Sequence, residues 1–357
     1  MGKPSIPAHP DASTMKAVCF TSFGKTPDAL SVKEIPKPFL ELKGEVLIKI
    51  HACALNPIDK LRLAGLISLI NPEKYDTSVL GYDVAGTVEE VGEEASESYS
   101  VGDEVYVRLD CMKYGAMAEY AVCTTAEIAK KPSNLSFVDA ASIPLAGLTA
   151  LQALRRGGVK EGSKVFIPGG AGGVGSLAIQ IAKRILGASH VCTTASPGAG
   201  MDVCKKAGAD RIVDYRSENV AEVLAGEDFD MCFDTMNQAV EFVKLIKKGG
   251  KVISISGNPT IEAVTEASGK QSLLVRTAFF LMRNRAAEKA IKKAGGSWEY
   301  IFMRPMGKDL AEIAKYVESG DIVPVIDTVA PSLDEFKVAV EKLFSGRSKG
   351  KCVVKVV

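Results

Sequence analysis

The stretch that decides the fold reads Val165-Phe166-Ile167-Pro168-Gly169-Gly170-Ala171-Gly172-Gly173-Val174-Gly175. A short apolar run meets a cluster of glycines. Beyond it, Val174, Leu177, Ala178, Ile181, Ala182, Ile185 and Leu186 fall at i, i+3, i+4, i+7, i+8, i+11 and i+12, one face of a helix. Gly170, Gly172 and Gly175 set the spacing G-x-G-x-x-G. In such a loop the first glycine permits a tight turn, the second lets a pyrophosphate approach the backbone, and the third lets helix and strand pack closely. The helix N-terminus offers N–H groups and partial positive charge to phosphates. Placed between a strand and an amphipathic helix, the motif points to dinucleotide binding.

Downstream the texture alternates. Val191-Cys192-Thr193 reads as a strand, Met201 to Ala207 as a helix broken by Gly208, and Arg211-Ile212-Val213 as a strand; Phe229 to Phe233 and Val252 to Ile255 continue the series. The expectation is an α/β fold with a doubly wound parallel sheet. The end of the second strand separates NAD from NADP, because an NAD protein usually places an acid there for the ribose 2′-OH. Here it reads Thr193-Thr194-Ala195-Ser196, with no acid before Asp202. Hydroxyls at that place favour NADP(H), with cationic help from Lys205, Arg216 or elsewhere.

Upstream the chain reads as β. Val46 to Ile50 and Val84 to Val91, closed by Gly92, are strand candidates, and Gly102-Asp103-Glu104 is a turn signal before Val105-Tyr106-Val107. Glycines at this spacing suit a curled antiparallel barrel. The end returns to β texture with Pro324 to Asp327 and Cys352 to Val356, and residues 1–14 read as a flexible extension. Residues 271–292 mix Leu273, Leu274, Val275, Phe279, Phe280, Leu281 and Met282 with Arg276, Arg283, Arg285, Lys289 and Lys292. That pattern suits either a helix lining a cleft or subunit contact, or one meeting a partner or a membrane surface.

Composition narrows the class. The 357 residues imply roughly two to three domains at about 150 each. Lys plus Arg is 44 and Asp plus Glu 43, a net charge of +1, against a polyanion partner such as nucleic acid. No apolar run approaches the roughly 18–20 residues needed to span a bilayer. The eight cysteines are at least 12 positions apart, so there is no CxxC, and three histidines form no HExxH. This excludes a CxxC-type structural zinc site. Scattered cysteines suggest free thiols in a reducing compartment, the cytoplasm.

The residues also carry a family likeness. The landmarks are Asn56-Pro57-Ile58-Asp59 with Arg62 and Gly65, Gly81-Tyr82-Asp83-Val84-Ala85-Gly86, Gly102-Asp103-Glu104-Val105, Gly115 to Tyr120, Ala141 to Ala150, the glycine loop, Asp214-Tyr215-Arg216 and Gly346 to Lys351. In this order, over nearly the whole chain, they resemble the zinc-independent medium-chain dehydrogenase/reductases of the quinone oxidoreductase type, and among them the NADPH-dependent enone (2-alkenal) reductases. The resemblance implies a GroES-like barrel domain (15–143 and 302–357) split around a Rossmann domain (144–301), with the active site in the cleft, some of whose walls come from 63–74 and 110–114. It also implies a possible homodimer through the Rossmann sheet edge. Zinc-dependent relatives place a ligand Cys at Asn56 and a His–Glu pair at Tyr82 and Asp83, so no catalytic metal is expected.

By the same likeness, Asn56 and Thr149 lie near the nicotinamide. Gly172, Gly173 and Val174 hold the pyrophosphate, and Ser196 and Tyr215 the adenosine phosphate end; Gly170, Gly175 and Thr194 complete the cofactor-binding candidates. Ile255, Ser256, Phe302, Arg304, Arg347 and Lys349 sit where the chain returns to the cofactor. Gly200 stands where the family often has a Lys, and Lys60 and Leu61 stand near Arg62 where enone reductases carry one. The expected reaction is hydride transfer from NADPH to a small-molecule substrate, either a quinone or the C=C bond of an α,β-unsaturated carbonyl. The catalytic candidates are Tyr82, Asn56 and Asp59. Tyr82 is either a proton donor or a packing residue beside a water donor; Asp59 either tunes the site or is a structural partner at a helix start. Two other classes remain open: a cofactor-binding interaction protein with little turnover, and a membrane-associated quinone reductase.

Overall fold

The computed structural model describes residues 3–7, 10–68, 72–110, 115–269, 272–282 and 285–357. The expected cleft-wall residues 69–71 and 111–114, and Arg283 of the basic segment, lie outside this set. The chain forms two compact units, Met1–Leu148 with Pro305–Gly320 and Pro324–Val357, and Thr149–Arg304 with Asp321–Val323.

The first unit is mostly β. In chain order it contains β1 (Thr14–Phe20), β2 (Ser31–Pro36), β3 (Glu45–Leu55), α1 (Pro57–Leu63), β4 (Ser78–Val79), β5 (Asp83–Val91), β6 (Glu104–Arg108), β7 (Tyr120–Thr124), β8 (Ile128–Lys130) and α2 (Phe137–Ala141). Helix α3 (Pro144–Gly157) carries the chain into the second unit. A seven-stranded sheet runs β15-β16-β3-β5-β6-β8, with β7 also on β3, and a small sheet runs β2-β1-β4. Here β15 is Ile326–Ala330 and β16 is Lys351–Lys355, and α10 (Gly307–Glu318) and α11 (Lys337–Phe344) belong to the same unit. Val46, Ile48 and Ile50 of β3 join Val84, Val88, Val105 and Val107 in one buried cluster. β-Branched residues pack well on such a pleated, buried surface. One pairing matters for the site: β16 runs antiparallel to β3 with Cys352 opposite Leu55, so the last strand delivers Lys351 to the start of α1.

The second unit holds β9 (Lys164–Ile167), α4 (Gly173–Gln180), β10 (His190–Ala195), α5 (Ala199–Ala207), β11 (Arg211–Asp214), α6 (Val220–Val223), β12 (Phe229–Asp234), β13 (Ile246–Ser254), α7 (Ile261–Ser268), α8 (Leu273–Met282), α9 (Arg285–Lys293) and β14 (Ser297–Tyr300). Its sheet order is β11-β10-β9-β12-β13-β14, and every pairing is parallel. This is the doubly wound Rossmann order, reversing direction at β9. Phe166 anchors its core, with ring contacts to Phe229 at 5.5 Å and Phe242 at 5.0 Å.

Two expected elements differ in detail. The apolar face over 174–186 is not one α-helix: α4 stops at Gln180 and a π-helical turn covers Ile181–Ile185. At this junction the buried Gln180 amide bonds the main chain of Ser176 and Val323, an insertion of the kind that loosens a helical ladder. The basic segment is two helices, α8 and α9. In α8, Leu273, Leu274, Phe280 and Leu281 are exposed while Phe279 is buried.

Candidate functional site

In the second unit, the loop after β9 turns at Gly169, whose φ of 72° is a left-handed conformation that glycine adopts without strain. The tight-turn role expected of Gly170 therefore falls one residue earlier. Gly170 is needed for packing instead, since a Cβ there would sit 2.1 Å from Thr193 Oγ1. Gly175 would bring a Cβ 2.3 Å from the Gly169 carbonyl oxygen. At Gly172 the nearest atom to a Cβ is 3.4 Å away, so the protein leaves room at the N-cap of α4. The N–H groups of Gly173, Val174 and Gly175 begin the helix and have no carbonyl one turn earlier in it to bond. A cradle of this kind suits a pyrophosphate.

Thr194 buttresses the loop. Its Oγ1 accepts the Gly169 N–H at 3.0 Å, and its carbonyl accepts the Gly170 N–H at 3.1 Å. Because Ala195 pairs with Asp214 across β10 and β11, Ser196 and Tyr215 follow neighbouring strand ends, and Tyr215 is exposed. The nearby Asp214 carboxylate is engaged by Arg216 N and Ser217 Oγ. After β13, the Ile255 carbonyl accepts Tyr300 Oη–H at 3.1 Å. Next to it, Ser256 Oγ is buried without a hydrogen-bond partner among the described residues, a costly state unless a ligand satisfies it. Phe302 packs edge-on against Tyr300, 5.2 Å between centroids. Arg304 is bound to Glu266 at 2.6 Å, so its charge is already paired. Thr149 is buried in α3. Parallel strands put the loop, Ser196, Tyr215, Ser256 and Phe302 at one edge of the sheet, the C-terminal edge where such sheets take ligands. The cradle and the orphaned hydroxyl fit a dinucleotide.

The first unit builds a buried polar network where β3 runs into α1. Asn56 caps α1, and its N–H donates to Asp59 Oδ2 at 2.7 Å. Asp59 Oδ1 accepts the Gly81 N–H at 3.1 Å. The Asp59 carboxyl is wholly buried, and burial raises its pKa to about 6 against the opposing pull of Asn56 N–H and Arg62. Asn56 Nδ2 donates to Asp83 Oδ2 at 2.9 Å, and Lys351 Nζ donates to both Asn56 Oδ1 at 2.5 Å and Asp83 Oδ2 at 3.0 Å. Asp83 Oδ1 also accepts the Leu145 N–H at 2.8 Å. An ammonium only donates, so Lys351 fixes which way the Asn56 amide points. Sequence reading placed Lys351 among the family landmarks but gave it no role; only the β16–β3 register reveals it.

Tyr82 is 1% exposed. The Arg62 and Arg108 guanidinium groups lie over its ring at 5.5 and 5.0 Å. Arg62 is in turn held bidentately by Glu73 at 2.8 and 2.7 Å. Lys60, expected near the site, bonds the Phe344 carbonyl at 3.0 Å instead. Arg347 is exposed, and Lys349 gives its N–H to Asp327 at 2.6 Å, both in the loop before β16. At the positions where the resemblance puts zinc in zinc-dependent relatives, the residues present do not fit that ion. Asn and Tyr are poor zinc ligands, and the Lys351 ammonium already sits between Asn56 and Asp83.

Among the described residues seven cysteines are free and buried, and no helix is long and apolar enough to cross a membrane. Burial raises the thiol pKa of Cys19 and Cys204 to about 12.

Two family models match: an alcohol dehydrogenase GroES-like domain over residues 42–133 and a zinc-binding dehydrogenase over residues 207–354. The chain is 36% identical to a 2-methylene-furan-3-one reductase of Solanum lycopersicum, over 96% of this chain and 79% of that protein. It is 33% identical to a chloroplastic NADPH-dependent alkenal/one oxidoreductase of Arabidopsis thaliana, over 95% and 79%. The solved quinone oxidoreductase of Coxiella burnetii superposes with a TM-score of 0.81 at 31% identity, covering 97% of this chain and all of that one. A Rossmann sheet, a GroES-like barrel and these likenesses over nearly the full length place the chain in the quinone oxidoreductase family of the medium-chain dehydrogenase/reductases, an oxidoreductase of the enone-reductase-like branch.

Proposed function

We propose that this protein is an NADPH-dependent reductase that delivers hydride to the C=C bond of α,β-unsaturated carbonyls or to quinones. The observation that carries the reading is the cradle at Gly172, with the Ser256 hydroxyl, which lacks a partner among the described residues, and Ser196, at a strand end without an acid, on the same edge of the sheet. The names of the two plant relatives support the enone arm, and that of the Coxiella structure the quinone arm. Bound NADPH supplies the hydride. Gly172, Gly173 and Val174 hold the pyrophosphate through N–H groups, and Ser196 and Tyr215 hold the 2′-phosphate end with Arg216 as the nearby cation. Ser256 donates its hydroxyl proton to the cofactor.

Asn56 keeps one Nδ2 hydrogen beyond its bond to Asp83, and presents it to the cofactor ribose or the substrate oxygen. Asp59 is a positioning residue: its carboxylate accepts the backbone N–H groups of Asn56 and Gly81. Tyr82 donates the proton that completes reduction, and the two guanidinium groups over its ring stabilise the charge left behind. The buried free thiols support a reducing compartment, the cytoplasm in this reading, and the β14 edge a homodimer contact.

The test is cofactor consumption with short alkenals, cyclic enones and 1,2- and 1,4-quinones, run with NADPH and NADH at equal concentration. Turnover with NADPH well above NADH is expected. Cofactor binding without turnover on the whole panel would leave an interaction protein; equal use of NADH would remove the NADP assignment. With chemistry rate-limiting, Tyr82→Phe lowers kcat at least about tenfold if the phenol donates the proton, and an unchanged kcat assigns that proton to water.

A further inference from the structure

At the opposite edge of the Rossmann sheet from the glycine loop lies a cluster that no part of the proposed reaction uses. His190 opens β10, and Cys192 follows two residues later, on the same face by strand alternation. Glu227 comes from the turn before β12. His190 Nε2 is 3.1 Å from Cys192 Sγ and 3.4 Å from Glu227 Oε2, and the three donor atoms lie within 4.8 Å of one another. We propose that His190, Cys192 and Glu227 bind one thiophilic divalent metal ion of the zinc class, with the fourth position left to water.

The donor set is the argument. Imidazole nitrogen, thiolate sulfur and carboxylate oxygen are the ligands zinc takes, at about 2.0–2.1, 2.3 and 2.0–2.2 Å. A tetrahedral ion at those lengths spaces nitrogen from sulfur by about 3.5 Å and nitrogen from oxygen by about 3.3 Å, so the nitrogen lies within about half an ångström of both required spacings. The surroundings match a supporting layer. Arg211 Nη1 holds the other Glu227 oxygen at 2.7 Å, aiming Oε2 at the cluster. Asp210 Oδ2 lies 3.9 Å from His190 Nδ1, on the ring's far side, where a carboxylate commonly orients a metal-bound imidazole. Asp210 is itself fixed by Lys183 Nζ and by the Val191 N–H. Binding replaces the Cys192 S–H bond with a metal–sulfur bond and releases that proton to solvent, so the site loads less well in acid. Its place between the starts of β10 and β12 makes it a structural clamp, remote from the nicotinamide chemistry.

The test uses the full-length protein, stripped with chelator and titrated with Co²⁺, with circular dichroism and thermal unfolding verifying that each variant is folded. Binding at one ion per chain with a thiolate-to-cobalt charge-transfer band is expected. That band disappears in Cys192→Ser, and affinity falls more than about tenfold in both His190→Gln and Glu227→Gln. Absence of the band in the wild-type protein, or its retention in Cys192→Ser, overturns the proposal. So does undiminished affinity in folded His190→Gln or Glu227→Gln. Since the readout is metal binding, it is independent of the proposed activity.

Discussion

Lys351 Nζ lies 3.0 Å from Asp83 Oδ2, with the ammonium side chain 5% exposed and the carboxylate fully buried. A side-chain cation there balances the buried acid. Breaking such a pair from one side strands the other charge. Lys351→Met should therefore cost about 3–5 kcal/mol in urea unfolding, and adding Asp83→Asn should recover part of it. A loss below about 1 kcal/mol would show that the ammonium is not needed.

Asp59 makes stability depend on pH in an unusual direction for a carboxyl. Its folded pKa is raised to about 6 from 3.8 by burial. Between those values the native state keeps a proton that the unfolded chain has released, so stability falls as pH rises. The favourable contribution is complete below about pH 4 and lost through about pH 6, an effect of up to about 3 kcal/mol. Relative to Asp59→Asn, the wild-type protein should lose stability between pH 4 and 7. Unfolding free energies of both at several pH values measure this; a constant difference would refute it.

The glycines of the loop should separate by variant. Gly170→Ala forces a Cβ onto Thr193 Oγ1 and should destabilise by about 1–3 kcal/mol. Gly172→Ala should fold with a Tm near that of the wild type, since no atom crowds it, yet bind NADPH at least about tenfold more weakly. Thermal unfolding and calorimetric titration distinguish the two.

Ser256→Ala removes a buried hydroxyl that lacks a partner among the described residues. The apo protein should be as stable as the wild type or slightly more so, because a desolvated polar group is gone. NADPH affinity should fall about five- to tenfold, the worth of one hydrogen bond. Equal affinity in the two proteins would remove Ser256 from the cofactor site.

Much of the second unit was legible because its signals are local: a strand, a glycine turn and an apolar helical face lie within about twenty residues. The location of the tight turn was not, since Gly169 and Gly170 look alike until Thr193 on the next strand crowds one of them. The network around Asn56 was half legible. Asp59 is three residues away in a capping box, whereas Lys351 arrives through a strand pairing across 295 residues, and pairing register of this kind has no local signature. His190, Cys192 and Glu227 match no spacing motif for the same reason: the third member comes from a different strand junction.

The buried thiols have a meaning for the chemistry proposed. Alkenals and quinones are soft electrophiles that alkylate thiolates by conjugate addition. With pKa values pushed up to about 12, Cys19 and Cys204 present on the order of one thiolate in 10⁵ at neutral pH, and no surface from which to attack. Burial likewise raises Cys53, Cys232 and Cys352. On the proposed function, the packing that buries Cys19, Cys53, Cys204, Cys232 and Cys352 also keeps those thiols from being alkylated by the substrates.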